Sequence, residues 1–237
     1  MNKPIRALLL AAGLGTRLRP ITLQTPKCLV PIGEEALLGR WLRNLELIGC
    51  DSVLINTHYL AEKVEDFVKS WERSRMTIKT IHEPELLGTA GTLLANQEFF
   101  KGATGLLIHA DNAMDGGIRD FLSAHQERKP CCQLSMLTFK TDTPSSCGIV
   151  EIDKDHVVQA FYEKMANPPG NRANGALYAF EEDFLDHLNI MNPIPSDFST
   201  EVIPKMLGRI QSWHTQGAYL DIGTPEALVM AQQLLSN

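Results

Sequence analysis

A glycine-rich turn with basic residues close behind it is the strongest chemical signal in this 237-residue chain. The turn occupies residues 12–19 (AGLGTRLR), follows the apolar run 8–11 and precedes Lys27. Gly13 and Gly15 lack a Cβ atom, so the backbone there can adopt positive φ and approach a ligand closely. Because the apolar run reads as a buried strand, the turn should lie at the carboxyl edge of a sheet, where open α/β sheets bind ligands. Backbone N–H groups and fixed cations gathered in one small volume suit a polyanionic phosphate chain.

Two better-known phosphate loops do not match this turn. A dinucleotide fingerprint requires a third glycine where this chain has Leu18, and a Walker A loop requires Gly-Lys-Ser/Thr around Lys27. The simpler alternative is a tight strand–helix turn whose arginines are only solvated. Two arginines, a lysine and two prolines within one short segment favour a phosphate site over that alternative.

Two aspartates follow apolar runs and are candidates for a metal site. Asp111 comes after the run 106–108, and Asp221 lies in YLDIGTPE, just before a predicted helix. Either one alone could be a helix N-cap or a turn residue. Two well-separated carboxylates that converge on one sheet edge could hold Mg²⁺, which keeps waters and uses substrate phosphates as further ligands.

The segment HEPELLGTAGT, residues 82–92, could approach a flat base or sugar. Gly88 and Gly91 flank a predicted helix start, where N–H groups are expected to be free. Glu83 is placed to accept hydrogen bonds from a base edge. A carboxylate suits guanine, which offers two donors, better than uracil or thymine, which offer one. The alternative is that Glu83 is a solvated turn residue.

The segments GLGTRLRP…TPK, HADN and LDIGTPE resemble the nucleotidyltransferase family that makes nucleoside-diphosphate sugars from sugar 1-phosphates. The resemblance implies that Gly13, Gly15 and Thr16 wrap the triphosphate. It implies that Arg17 and Lys27 neutralise charge on the α-phosphate and on the departing pyrophosphate. It also implies that Asp111 and Asp221 hold Mg²⁺. The other residues expected to bind the nucleotide are Ala11, Ala12, Glu83, Gly88 and Thr89.

Three later segments continue this resemblance on the acceptor side. They are CGIV at 147–150, FYEK at 161–164 and NGA at 174–176. By analogy with the family, Lys164 binds the phosphate of the acceptor sugar, and Glu163 and Asn174 bind its hydroxyl groups. Gly148 leaves space for the ring of the acceptor sugar. Asn112 is expected to bind the sugar phosphate together with these residues.

The resemblance implies a Mg²⁺-dependent transfer of a nucleoside monophosphate from a nucleoside triphosphate to a sugar 1-phosphate, with release of pyrophosphate. The sharper expectation is GTP with a manno-configured hexose or heptose 1-phosphate. A uridylyl- or cytidylyltransferase of the same fold remains an alternative, as does a catalytically silent regulator that binds nucleoside-diphosphate sugars. A nicotinamide oxidoreductase fits poorly because the third glycine of its fingerprint is missing.

The composition restricts the classes of binding partner and the cellular compartment that we expect for this chain. A formal net charge of −6 argues against a broad nucleic-acid surface. The apolar stretch near the N-terminus is too short to span a membrane. Five cysteines without Cys-x-x-Cys spacing fit reduced thiols in a cytoplasmic protein. The expected partners are therefore small molecules, with no nucleic acid and no membrane, and the chain is expected to be a monomer or homodimer.

The elements that would position these residues alternate as in an α/β fold with a mixed, mainly parallel sheet flanked by helices. The resemblance makes this sheet Rossmann-like, of the glycosyltransferase-A type, with a small antiparallel extension after about residue 140. We predict a single domain over residues 1–237, with a nucleotide-binding half at 1–115 and a sugar-phosphate-binding half at 116–237. The predicted strands are Ile5–Ala11, Ser52–Asn56, Thr77–His82, Gly105–Ala110, Gln133–Thr138, Gly148–Ile152, Val157–Glu163, Ala173–Phe180 and a closing pair, Ile210–His214 with Ala218–Leu220. The predicted helices are Gly39–Leu47, Ala61–Ser70, Thr89–Asn96, Ile118–Arg128, Phe184–Ile190, Thr200–Leu207 and one that begins near Pro225.

Overall fold

A computed structural model of the chain describes residues 3–71 and 75–235. The strands are β1 (Ile5–Leu10), β2 (Pro31–Ile32), β3 (Glu35–Ala36), β4 (Ser52–Thr57), β5 (Thr77–His82), β6 (Thr104–His109), β7 (Asn112–Met114), β8 (Leu134–Lys140), β9 (Gly148–Ile152), β10 (Val158–Glu163), β11 (Arg172–Phe180), β12 (Ile210–His214) and β13 (Tyr219–Asp221). The α-helices are α1 (Leu37–Leu47), α2 (Ala61–Ser70), α3 (Thr89–Ala95), α4 (Ile118–Gln126), α5 (Glu182–Asn189) and α6 (Pro225–Leu235).

The chain forms two compact units. The terminal unit contains Pro4–Leu86, Ile108–Ile118 and the residues from Gly217 onward. The central unit contains Leu87–Leu107 and Arg119–Gln216, together with Lys3. The chain therefore enters the terminal unit three times, and strand β6 has residues in both units.

Three parallel strands form the sheet of the terminal unit. β4 pairs in parallel with β1 on one side and with β5 on the other. Their side chains are mostly apolar, and Leu38, Leu42 and Leu45 of α1 are fully buried. Each such leucine contributes about 1.5–3 kcal/mol relative to an exposed position. Because the strands run in the same direction, their carboxyl ends carry the residues that follow them to one edge.

A two-stranded sheet adds the last part of the chain to the terminal unit. β7 and β13 pair antiparallel, with Asn112 opposite Asp221 and Met114 opposite Tyr219. The backbone N–H of Ile222 donates to the carbonyl of Asp111. A buried cluster anchors this sheet together with the glycine turn and α6; its members are Leu18, Val30, Ile32, Leu37, Ala113, Ile222, Leu228, Ala231 and Leu235.

The central unit is built on antiparallel pairing around an aromatic core. β11 pairs antiparallel with β8 and β9, β9 pairs antiparallel with β10, and β12 pairs in parallel with β8. Ring contacts connect Phe100, Phe180, Phe184, Phe198 and Tyr178, with centroid separations from 4.4 to 6.1 Å. Aromatic pairs at such distances stabilise a core beyond the area that they bury.

These observations confirm the α/β fold class and the mixed sheet. The predicted closing pair, Ile210–His214 with Ala218–Leu220, is wrong. β12 pairs with β8, and β13 pairs with β7. The apolar pattern of a strand marks it as a strand but does not identify the neighbour that accepts its hydrogen bonds. The predicted helix Thr200–Leu207 is also wrong in type, because a π-helical turn, Phe198–Val202, runs into a 3₁₀ turn, Ile203–Met206.

The start of α6 follows its prediction. Thr224 caps this helix, since its hydroxyl accepts from the N–H of Ala227 at 3.2 Å and its carbonyl accepts from Leu228. Pro225 occupies the first helical position, where the missing N–H costs nothing. Among residues 3–71 and 75–235, every helix is too short or too polar to cross a membrane.

Glu181 of the central unit makes the stability of the protein sensitive to acid. Its carboxylate accepts from the Thr104 hydroxyl at 2.8 Å and lies beside Lys3 and His125. Burial alone would raise the pKa of Glu181, but these neighbours outweigh burial and lower it from 4.5 to about 2. A carboxylate with a lowered pKa contributes stability above its unfolded-state pKa and loses that contribution as the pH falls towards the folded-state value.

We therefore expect Glu181→Gln to reduce the free energy of unfolding by about 1–2 kcal/mol at neutral pH. The difference from wild type should shrink as the pH falls from 4.5 towards 2. Urea unfolding at a series of pH values measures this, with the exposed Glu98→Gln as the control. An unchanged pH dependence in Glu181→Gln would remove this role of Glu181.

Candidate functional site

The glycine turn after β1 is held in one conformation by hydrogen bonds. Gly15 has φ +61°, and its carbonyl accepts from the N–H of Leu18 at 3.0 Å and from the Thr22 hydroxyl at 2.6 Å. A Cβ atom at Gly15 would lie 2.8 Å from Thr22 Cγ2. Both the positive φ and this close approach therefore require glycine at this position. Gly13 has open space where a Cβ would stand. The turn is therefore fixed on its inner side and open at Gly13.

Lys27 brings the two candidate metal-binding aspartates together. Its Nζ lies 2.6 Å from Oδ2 of Asp111 and 3.4 Å from Oδ1 of Asp221. The Lys27 side chain is 8% exposed, whereas those of Asp111 and Asp221 are 36% and 49% exposed. The antiparallel β7–β13 pair is the local cause, because it sets the chain around Asp221 beside the residues that follow Asp111. Two distant carboxylates thus meet in the terminal unit, as the sequence predicted.

The charge on Asp111 is stabilised in this setting. Burial alone would raise the pKa of Asp111, but the Lys27 ammonium, His109 and a backbone N–H together outweigh burial and hold the pKa below its usual value. Asp111 is therefore ionised at neutral pH and available as an anionic oxygen ligand.

The glycine turn, Lys27 and Asp111 line a single cavity of about 290 Å³ in the terminal unit. Its other lining residues include Leu14, Thr16, Arg17 and Gly223. A Cβ atom at Gly223 would lie 2.8 Å from Nη2 of Arg17, so the guanidinium packs directly on this glycine. Arg19 is not among the described residues that line the cavity. The cavity thus presents backbone of the turn, two cations and a carboxylate in one volume.

The carboxyl ends of β1, β4 and β5 carry a buried polar network. Asn56 accepts from the N–H of Ala11 at 2.7 Å through Oδ1 and donates through Nδ2 to Oε1 of Glu83 at 3.0 Å. Ala12, Asn56 and Glu83 are all about 5% exposed. The alternative interpretation of Glu83 as a solvated turn residue is wrong. Glu83 is an ordered carboxylate at the edge that the parallel strands share.

The start of α3 differs from its prediction. Gly88 has φ +79°, and a Cβ atom there would lie 2.4 Å from the carbonyl oxygen of Ser196. That carbonyl accepts from the N–H groups of Ala90 and Gly91, so the expectation of free N–H groups at this helix start is wrong. The Thr89 hydroxyl accepts from the N–H of Phe198 at 2.7 Å. The glycine and the threonine thus hold the 196–198 segment within the central unit.

The predicted acceptor residues Gly148, Glu163, Lys164 and Asn174 come together in the central unit. Glu163 pairs with Gly148 across β9 and β10, and a Cβ at Gly148 would lie 2.7 Å from Oε2 of Glu163. Lys164 Nζ lies 3.3 Å from Oε1 of Glu163, and the lysine side chain is 68% exposed. Ala173 pairs with Ile149, which sets Asn174 beside Gly148 in the antiparallel register.

Asn174 and Lys164 have distinctive local conformations. Asn174 donates to the Tyr178 hydroxyl at 2.7 Å and accepts from the N–H of Ala176 at 3.0 Å. A β-bulge in β11 lies between Asn174 and Tyr178. Lys164 has φ +46°, a backbone conformation that L-residues seldom adopt outside functional or constrained sites.

Asn112 does not join the acceptor residues in their unit. It lies in the terminal unit, pairs with Asp221, and its carbonyl accepts from Trp41 Nε1 at 2.7 Å. With 5% exposure it is mainly a buried neighbour of the aspartates.

The sequence analysis did not identify three residues of the candidate site. Asn56 is an unremarkable residue at a strand end, Gly223 follows Asp221 closely, and Thr22 lies inside the basic segment. The ends of parallel strands are a usable signal for Asn56, because Ala11 and Glu83 share that edge. Contacts of Gly223 with Arg17 and of Thr22 with Gly15 depend on the folded turn, so no spacing in the sequence marks them.

The residues around Asp111 suit a divalent cation that retains water. The described part of the chain contains no group of three or more His, Cys, Asp or Glu side chains placed to hold a metal. Mg²⁺ is commonly held by one or two carboxylates plus substrate phosphates, so the pair Asp111 and Asp221 is a sufficient protein ligand set. The ammonium of Lys27 lies within 3.4 Å of an oxygen of each carboxylate, so the two carboxylates are close enough to contact one charged group.

Comparison with known proteins identifies the family. The family described as Nucleotidyl transferase matches residues 6–237. The chain belongs to the nucleotidyl transferase family. Among curated relatives of the chain, the mannose-1-phosphate guanylyltransferase catalytic subunit beta of Drosophila pseudoobscura pseudoobscura is 30% identical over 227 residues. That alignment covers 93% of the chain but 60% of the relative, so the chain spans less than two thirds of the relative's length.

Solved structures have the same fold as this chain. A Bacillus anthracis protein crystallised with sucrose has a TM-score of 0.87 at 20% identity, covering 98% of this chain and 96% of its own. HddC from Yersinia pseudotuberculosis, solved in complex with GMP-PN, has a TM-score of 0.79 at 24% identity, covering 96% and 98%. At these identities the similarity establishes the fold.

Proposed function

We propose that this member of the nucleotidyl transferase family transfers a nucleoside monophosphate from a nucleoside triphosphate to a sugar 1-phosphate and releases pyrophosphate. One observation carries the proposal: the cavity bounded by the glycine turn holds Arg17, Lys27 and Asp111, and Lys27 also contacts Asp221. A triphosphate needs cations and backbone N–H groups, and a divalent ion that accompanies it needs carboxylates. The relative named as a guanylyltransferase supports the same reaction class.

The residues of the cavity have separate roles in this proposal. Gly13, Gly15 and Thr16 contact the triphosphate through their backbone, and Ala11 and Ala12 continue that contact at the end of β1. Arg17 and Lys27 neutralise negative charge that develops as the bond between the α-phosphorus and its bridging oxygen breaks. A bound divalent metal, for which Mg²⁺ is our proposal, supplies further charge neutralisation and orients the phosphates.

The acceptor needs no general base from the protein. An oxygen of the sugar 1-phosphate attacks the α-phosphorus, the bridging bond to the β-phosphate breaks, and pyrophosphate leaves with that bridging oxygen. The attacking phosphate is already ionised at neutral pH, so no proton has to be removed. We propose that the exposed Lys164 binds this phosphate, with Glu163 and Asn174 on sugar hydroxyls and Gly148 beneath the ring. Their role is positioning, which can contribute several orders of magnitude in rate.

We propose GTP as the nucleotide and a manno-configured hexose or heptose 1-phosphate as the acceptor. The carboxylate of Glu83 can accept from the two donors of guanine, and the named relative acts on mannose 1-phosphate. Gly88 and Thr89 are proposed contributors on the nucleotide side. The division into a nucleotide half, 1–115, and an acceptor half, 116–237, remains a prediction, as do the cytoplasmic location and the monomeric or homodimeric state.

The direct test is a pyrophosphate-release assay with each nucleoside triphosphate against a panel of sugar 1-phosphates, with and without Mg²⁺. We expect Mg²⁺-dependent turnover, fastest with GTP and a manno-configured acceptor. Preference for UTP or CTP would assign the chain to another specificity of the same reaction. Tight binding without turnover across the panel would contradict the proposed enzyme and indicate a silent regulator.

Glu83→Gln tests the choice of base. Asn56 donates to Oε1 of Glu83, so it should hold the amide oxygen of the glutamine and direct the NH₂ group away from itself. An NH₂ donor cannot accept from guanine, so kcat/KM for GTP relative to UTP should fall by about 10–100-fold. Steady-state kinetics with both nucleotides measures this ratio. An unchanged ratio, with only a loss of stability, would limit Glu83 to a structural role.

A further inference from the structure

We propose that Lys27 is a built-in counter-ion for Asp111 and Asp221, and that a divalent cation must displace its ammonium group to bind both carboxylates. This inference rests on the proposed metal site and goes beyond it. It predicts that metal binds weakly to the free protein and tightly only when a phosphate chain offers Lys27 a new partner.

The competition follows from the atoms involved. Lys27 Nζ contacts Oδ2 of Asp111 at 2.6 Å and Oδ1 of Asp221 at 3.4 Å. Carboxylate oxygens are also the ligands that a divalent cation such as Mg²⁺ prefers. The ammonium and the metal therefore compete for the same carboxylate lone pairs. The metal cannot bind both aspartates while the ammonium of Lys27 still contacts both of them.

Lys27 is held near the aspartates by the fold. Its side chain is 8% exposed, while the two carboxylates are considerably more exposed. Its neighbours Cys28 and Val30 are buried and anchor the 3₁₀ turn Lys27–Leu29. The Cβ atom of Lys27 lies 3.3 Å from the position that a Cβ atom would take on Gly15, so the lysine stem packs against the glycine turn. The lysine is thus a fixed part of the site, unlike a solvated surface lysine.

The charges of the site balance without metal. Asp111 and Asp221 contribute two negative charges, and Lys27 and Arg17 contribute two positive charges. Within the described residues, the ion pairs of the two aspartates are made with Lys27, and Arg17 packs instead on Gly223. A metal ion that arrives alone must break two ion pairs and leave a nearly buried ammonium without its partners, which is costly. A triphosphate that arrives with the metal supplies those partners, so the two ligands should bind cooperatively.

The test is Mn²⁺ binding to the nucleotide-free protein, followed by the electron paramagnetic resonance signal of free Mn²⁺. Lys27→Met removes the competing charge and should tighten Mn²⁺ binding by about tenfold or more relative to wild type. Arg17→Met is the matched control, because it removes one positive charge from the same cavity without removing an ion pair to the aspartates. It should change Mn²⁺ affinity by less than about threefold. Equal gains in both variants, or no gain in Lys27→Met, would overturn the proposal.

Two further measurements keep the outcome interpretable. Lys27→Gln retains a hydrogen-bond donor and loses the charge, so it should tighten Mn²⁺ binding in the same direction even if Lys27→Met does not fold without metal. Asp111→Asn should abolish the Mn²⁺ binding of wild type and of Lys27→Gln. Mn²⁺ binding that survives Asp111→Asn would contradict the metal site itself, and thus the proposed function. Mn²⁺ binding that requires Asp111 but has the same affinity in wild type and in the Lys27 variants would contradict only the counter-ion role.

Discussion

Asp111→Asn is expected to reduce kcat/KM by at least about 10³-fold while the protein remains folded. The substitution removes the charge of a carboxylate that lines the cavity at the glycine turn and contacts Lys27 at 2.6 Å. An asparagine can still accept a hydrogen bond from the charged ammonium of Lys27, so the ion pair becomes a hydrogen bond to a neutral amide and the cavity keeps its shape. Pyrophosphate release measures the rate, and circular dichroism measures the fold.

Two companion variants define this result. Asp221→Asn should cause a similar loss, because Asp221 contacts the same ammonium at 3.4 Å. Asp115→Asn is the control on the same β7–β13 sheet, where the Asp115 backbone donates to the carbonyl of Ala218 and the residue does not line the cavity. Near-wild-type rates in both Asp111→Asn and Asp221→Asn would refute the metal assignment.

Arg17→Met is expected to reduce kcat/KM by about 10²–10³-fold. Arginines that stabilise a transferring phosphoryl group are commonly worth this much or more. Methionine is shorter than arginine but keeps an unbranched apolar stem and loses the charge, so stability should change little. The loss should appear in kcat as well as in the KM for the nucleotide, because the charge to be neutralised grows in the transition state.

Gly223→Ala provides an independent check on the position of Arg17. An added Cβ would lie 2.8 Å from Nη2 of Arg17, so the guanidinium must move even though its charge is retained. We expect Gly223→Ala to lose about tenfold or more in kcat/KM, and the double variant to be no worse than Arg17→Met alone. Fully additive losses would show that Gly223 acts separately from Arg17. A full rate in Gly223→Ala would show that the position of the guanidinium is unimportant.

The sequence predicted the parts of this site that local patterns control. Asp111 and the glycine turn each follow an apolar strand. The glycine turn and Glu83 follow parallel strands, whose carboxyl ends lie at one edge. Gly15 was predicted because its role depends on its own backbone, which adopts φ +61°. The fold class followed from the same alternation of strands and helices.

Contacts between distant parts of the chain could not be predicted in this way. Lys27 is separated in the sequence from Asp111 by 84 positions and from Asp221 by 194 positions. The β7–β13 pairing, which places Asp221 opposite Asn112, likewise forms only in the folded chain. The N–H groups at the start of α3 donate to the carbonyl of Ser196, which is also distant in the sequence. A helix start in the sequence shows that donors exist, but the residues that accept from them are fixed only when the chain folds.

The most direct test of the account is diffraction from crystals grown with Mn²⁺ and a non-hydrolysable GTP analogue, with data collected for the anomalous signal of manganese. We predict an anomalous peak bound by the carboxylates of Asp111 and Asp221, with the triphosphate against the backbone of residues 13–16 and Lys27 moved from the aspartates to a phosphate oxygen. A peak away from both aspartates, or a triphosphate that leaves the glycine turn empty, would contradict the proposed site.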